Sequence, residues 1–344
     1  MSRWTTKCLS TLALVIVGTF ALPASAEKCT TQSQMQSADR DALAGTAQVL
    51  AAKIQTNDIV GLKAAIIPEL SADFSGIGNV IAATAPSLAG DTPEVEQVYL
   101  LDATDTKRNA DGSAPDADFL CSLNKGSDEA DFSINGLPPG RYGFTMVEFV
   151  GHSPWLVSLL LRQDGTGAPW KLAGVYPKET SAAGHDGLWY WSQARASAAK
   201  KQVWVAYLEY QEARELLQPV GFISSTHLEN LRAESAAATP PELGDGIGTS
   251  SPLVVKSIGG KVFKFTSITP GNSLRKDKLD IVIYLDRDPS ITSPQTIRKD
   301  NLEAMTAWLA QHPELRDNFH GMWIFANAPG QAPVTTVAAM NEIP

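Results

Sequence analysis

Glu129-Ala-Asp-Phe-Ser-Ile-Asn135 alternates without a break: Glu129, Asp131 and Ser133 fall on one side of an extended chain, Ala130, Phe132 and Ile134 on the other. A period of two with one apolar side predicts a half-buried antiparallel strand. Pro138-Pro139-Gly140 follows as a tight reversal, and Tyr142 to Phe149 reads as the returning strand. Outward from this pair, Val98-Tyr-Leu-Leu101, Phe119-Leu-Cys121, Trp155 to Arg162 and Trp170 to Tyr176 are short, β-rich and bounded by turn residues. Six strands are predicted between residues 98 and 176.

Before Pro93 the period is helical. Leu43, Ala47, Leu50 and Ile54 recur at the three-and-four spacing of one helical face, which predicts an amphipathic helix from Ala38 to about Thr56. Asn57-Asp58 interrupts it, a short turn from Leu62 to Ile67 stops at Pro68, and Phe74, Ile77, Ile81 and Leu88 repeat the spacing. Gly76 and Gly78 weaken that third helix, at roughly 1 kcal/mol each. Helices followed by strands predict an α+β domain, with the helices packed on a curved antiparallel sheet.

Three helices and a mostly antiparallel sheet closing on Trp170-Lys-Leu-Ala-Gly174 resemble the NTF2-like (cystatin-like) α+β cone over about residues 38–176. The resemblance implies a pocket between helices and sheet, which different members use for binding, for catalysis or for nothing. A second resemblance is carried by Phe132-Ser-Ile-Asn-Gly-Leu-Pro-Pro-Gly-Arg-Tyr142, similar to the strand-turn-strand of transthyretin-like and carboxypeptidase-regulatory β-sandwiches. Those domains lack leading helices, so this reading ranks second. The whole chain also resembles uncharacterised exported bacterial proteins sharing Gly-Leu-Trp-Tyr-Trp-x-Gln-Ala-Arg, here Gly187 to Arg195. That likeness implies no activity.

Residues 185–236 predict a helical hairpin, with Trp204 opening a helix that ends at Pro219 and Thr226-His-Leu-Glu229 spaced as a capping box. The pattern is faintly like a tetratricopeptide unit, but no second copy exists. Residues 237–252 are small and polar, the composition of a linker. Residues 253–344 then read as a small α+β module, with strands at Leu253, Lys261, Asp280 and Met322 and a helix starting at Ser293-Pro294.

A basic start, the short apolar run Cys8 to Leu22 and Ala-Ser-Ala26 have the form of a secretory signal, so residues 1–26 are expected to be cleaved and the product secreted or periplasmic. Removing Arg3 and Lys7 from 28 basic side chains leaves 26 against 37 acidic ones, a net charge of −11. Such a balance disfavours nucleic acid and anionic membrane partners. Cys8 leaves with the signal; Cys29 and Cys121 remain as a possible disulfide pair, which an oxidising compartment favours. The mature chain has no Asn-x-Ser/Thr sequon.

Motifs for zinc proteases, serine hydrolases, P-loops and redox dithiols are missing, and none of the five histidines is spaced as a metal ligand to another. No cofactor or metal is expected. Lys107 to Asp118 overlaps a calcium-loop spacing, but a lysine at its head repels a cation, so Asp111-Gly112 reads as a turn. Trp189, Tyr190, Trp191, Trp204, Tyr207 and Tyr210 place six of 26 aromatics within 22 residues. They either cement the hairpin onto the sheet or, through Trp189, Tyr190 and Trp191, present a ligand or partner surface. The expected function is non-catalytic binding of a small ligand or a protein partner. The alternative is a hydrolase or isomerase using Asp102, Glu148 or His152 as acid and base in the pocket.

Overall fold

The computed structural model describes residues 27–123, 128–151, 154–165, 167–244, 246–271 and 278–344. The expected signal segment and His152 lie outside these residues.

Strand β1 (Lys28–Thr31) leads into helices α1 (Ser37–Gln55), α2 (Ile59–Ala65), α3 (Pro68–Ser71) and α4 (Ser75–Leu88). The spacing that predicts α1 is the spacing that packs it, since Leu43, Ala47, Leu50 and Ile54 are all buried. Asp58 starts α2 three residues earlier than the apolar pattern suggests: its carboxylate accepts the Gly61 N–H at 2.9 Å, satisfying an otherwise orphan donor. The extended segments follow as β2 (Thr92–Asp102), β3 (Ala117–Ser122), β4 (Glu129–Ile134), β5 (Arg141–Val150), β6 (Trp155–Gln163) and β7 (Trp170–Glu179).

These strands divide into two sheets. An antiparallel five-stranded sheet runs β1-β2-β5-β6-β7, and α1, α2 and α4 close one of its faces around Leu50, Ile54, Leu62, Val147, Leu159 and Leu172. β3 and β4 leave it for a second sheet whose side chains pack on the opposite face, among Leu101, Tyr142 and Phe144. The six strands read as one layer are therefore two layers. The alternation in Glu129–Asn135 correctly gives β4 one buried side, but that side faces another sheet: Phe132 meets Tyr99 and Phe144 edge-on, at 5.1 and 5.3 Å between ring centroids. Pro138-Pro139-Gly140 carries the chain between the layers. A Cys29–Cys121 disulfide, closing a separation of 92 residues, fastens β1 to β3.

The chain continues through the short pair β8 (Ser181–Ala182) and β9 (His185–Asp186) into α5 (Gly187–Ala199), α6 (Val203–Leu217), β10 (Ile223–Ser225) and α7 (Thr226–Ala237). The cap of α7 lies one residue before the predicted box. Ser225 Oγ accepts the Leu228 N–H at 3.2 Å, while Thr226 Oγ1 accepts from the Glu129 N–H at 3.0 Å and Glu229 turns to Ser224 and Arg232. Strand β10 pairs with β4 and completes the second sheet as β10-β4-β3.

A 3-10 turn (Pro241–Leu243) precedes β11 (Leu253–Lys256), β12 (Val262–Gly271), β13 (Asp280–Asp286), α8 (Pro294–Gln311), α9 (Leu315–Asn318), β14 (Gly321–Ala328) and β15 (Gln331–Ala339). Their five-stranded sheet follows chain order, parallel at β13/β14, which α8 connects. Trp204 of α6 and Trp308 of α8 meet edge-to-face at 5.2 Å, both fully buried. Hairpin and C-terminal sheet thus share one core, to which Leu243, from the stretch read as a linker, also belongs. The protein is α+β.

Candidate functional site

The sheet separates the acid/base candidates. Register places Asp102 beside Arg141 on the helix-covered face, whereas Glu148 lies seven residues along β5 and, by parity, on the other face. Seven residues of strand span about 23 Å. Asp102 instead accepts from the Thr104 N–H and hydroxyl at 3.1 and 2.6 Å, a local turn. The two carboxylates do not converge, so Asp102 and Glu148 do not form the acid/base pair together. The Asp111 segment is also turn chemistry, with the carboxylate accepting from the Ser113 N–H and hydroxyl. Among the described residues, no group of three or more His, Cys, Asp or Glu side chains could hold a metal ion, and no helix is long and apolar enough to cross a membrane.

Tyr190 and Trp191 are likewise corrected as ligand-facing residues. Consecutive helical positions point some 100° apart, and these two turn inward, at 3% and 9% exposure. Tyr190 donates its hydroxyl to the Ala182 carbonyl at 2.9 Å, and Trp191 its indole N–H to Glu234 at 2.8 Å. Trp189 is 38% exposed but lies flat on His185, with centroids 3.7 Å apart. Glu234 is the hub of the hairpin. Besides Trp191 it accepts from Arg195 Nε and Nη2 at 2.7 and 2.6 Å and from the Tyr210 hydroxyl at 3.3 Å. Those donors, Arg195 foremost, hold its carboxyl down at about 2.

Between helices and sheet, where the family resemblance implies a pocket, the side chains of the helix-face core pack against one another. A groove of about 840 Å³ opens at its rim instead, between α1 and the β6–β7 turn. Ala38, Ala42, Gly45 and Val49 form the α1 wall at helical spacing, and Trp170 with Pro169 forms the opposite one. Arg141 is among the lining residues, beside Asp39. Its Nη2 bonds Asp39 at 2.7 Å, its Nη1 bonds the Gln163 side-chain oxygen at 2.7 Å, and its guanidinium carbon lies 5.8 Å from the Trp170 ring centroid. Gln163 in turn donates to the Ala168 carbonyl at 2.8 Å, fixing the turn.

A guanidinium carries five N–H groups, and two are used here, so three have no partner among the described residues. A groove with an apolar wall and a fixed, partly shielded cation, lined also by Asp41, Thr46 and Lys53, has the chemistry to take an apolar body bearing an anionic group. Sequence reading does not reach this site. Asp39, Arg141 and Gln163 are brought together by tertiary structure from positions 102 and 22 residues apart, and Arg141 merely follows a turn. Compared with protein-family models, curated proteins and solved structures, the chain matches none.

Proposed function

We propose that the protein is a non-catalytic binder of small amphipathic carboxylates, built on an NTF2-like arrangement in which α1 to α4 roof an antiparallel sheet. The observation that carries this reading is Arg141, oriented by Asp39, Gln163 and Trp170 with donors left over in the lining of a groove whose α1 wall is apolar. The Cys29–Cys121 bond supports export to an oxidising compartment. The expected net charge after cleavage supports a small molecule over nucleic acid or anionic lipid.

Calorimetric titration with octanoate and 4-phenylbutyrate, each beside its matched alcohol, tests the reading. The acids should bind at least tenfold tighter than the alcohols, and Arg141→Gln should erase that preference while leaving circular dichroism and the melting midpoint of the groove-free half in place. Equal binding of acid and alcohol, or no binding of either acid at millimolar concentration, overturns it.

A further inference from the structure

A second cavity, about 530 Å³ and sharing no lining residue with the groove, lies between α6, α7 and β12. Tyr207 and Glu212 of α6, Ser235 of α7 and Ser267 and Thr269 of β12 line it, with the exposed Arg214 and Glu215 also at its wall. Glu212 is the anomaly. It occupies the buried stripe of α6, four residues after Leu208 and four before Leu216, and is 6% exposed. Its carboxyl makes no hydrogen bond or ion pair with any described residue.

The obvious counter-ion is engaged elsewhere. Lys178, reaching over from β7, donates its ammonium protons to the Glu215 carbonyl and, at 2.6 Å, the Gln218 carbonyl, where α6 ends and its last carbonyls need donors. The other charged or titratable groups around Glu212 are Glu179 from β7, Glu215 from its own helix and Tyr190 from α5, with Tyr207 and the exposed Arg214 also on the cavity wall. Burial, the largest cause, and the acidic neighbours push its carboxyl up to about 7. Glu209, one turn earlier, is also raised by burial to about 7, but its carboxylate accepts from Ser197 Oγ at 2.7 Å and is accounted for. Lys178 attracts the carboxylate through space without bonding to it, and a buried acceptor left without a hydrogen bond is costly.

We infer that this cavity binds a small primary alkylammonium ion, with Glu212 as its counter-ion. An ammonium head presents three N–H donors and no acceptor. The Glu212 carboxylate and the hydroxyls of Ser235, Ser267 and Thr269 are acceptors among the lining groups, and Tyr207 adds an aromatic ring for the alkyl part. The inference does not depend on the Arg141 groove.

Titration with phenethylammonium, with 2-phenylethanol as the uncharged control, tests it. Saturable binding at pH 8 should weaken by about a hundredfold at pH 5, where a carboxyl titrating near 7 is about 1% ionised. Calorimetry at pH 6 in two buffers of different ionisation enthalpy should read the release of about one proton per amine bound, a measurement on the unaltered protein. Glu212→Gln should abolish binding, whereas Glu209→Gln and Arg141→Gln should retain it. Absence of binding at pH 8, equal binding of the alcohol, no proton release, or unchanged binding by Glu212→Gln overturns the assignment.

Discussion

Between Lys28 and Glu179 the five-stranded sheet is covered on both faces by apolar side chains and fastened by Cys29–Cys121, whereas the core from Gly187 onward embeds Glu209 and Glu212 in α6 and gathers α5 to α7 around Glu234. The first region is held mainly by apolar packing and a reducible disulfide, with its ion pairs toward the surface. The second has no disulfide among its described residues and buries carboxyls whose titration is strongly shifted. Stability in this molecule is therefore regional, and the two regions can be perturbed one at a time.

The largest expected effect breaks the first region. A disulfide closing a 92-residue separation is worth about 4–5 kcal/mol on chain entropy, so reduction, or Cys29→Ser with Cys121→Ser, should lower the urea midpoint sharply. Hydrogen exchange should place the loss in β1 to β5; faster exchange in α5 to α8 instead would sink the division. Trp204→Ala is the counterpart on the other side, removing a fully buried ring from between α6 and α8 at about 3–5 kcal/mol, with accelerated exchange in β11 to β15.

A pH change sharpens the comparison. Glu209 and Glu212 have folded-state values raised from 4.5 to about 7, so their contribution is full below about 4.5 and is lost as pH rises through 7. Unfolding in urea at pH 5 and at pH 8 should differ by on the order of 2–3 kcal/mol for Glu212 alone, lower at pH 8, and Glu212→Gln should remove that share while leaving the one from Glu209. Glu234 has the opposite sign. Lowered from 4.5 to about 2, it stabilises above 4.5 and fails as pH falls toward 2. Glu234→Gln should cost about 1–2 kcal/mol at neutral pH, read as a lower urea midpoint, and little at pH 2.

The elements were legible because their periodicity is local: Leu43, Leu50 and Ile54 announce α1, and Ala130, Phe132 and Ile134 announce a strand with one buried side. Periodicity names a face and not the layer opposite it, which is why β3 and β4 read as members of one sheet. The aromatic density at Trp189 to Tyr210 correctly marked a packing centre. Its division into the inward Tyr190 and Trp191 and the outer Trp189 follows from helical geometry that adjacency in sequence hides. Glu212 was readable and missed: Leu208, Glu212 and Leu216 put an acid on an apolar stripe. Arg141 had no such signal, since its partners come from α1, β6 and β7.

Strand β10 belongs by sequence to the hairpin segment and by pairing to the N-terminal layers, where Ile223 and Phe222 complete the aromatic cluster. Dissection at the break near Gly184 would strip β4 of a neighbour and bare its hydrogen-bonding edge, a template for self-association. The shortest amino-terminal fragment with a finished second layer runs through Ser225, and so brings α5 and α6 along without the α8 tryptophan that shields Trp204. Expression of either half in isolation is thereby expected to yield aggregates, and co-translational maturation must wait for residue 225 before the front layers can close.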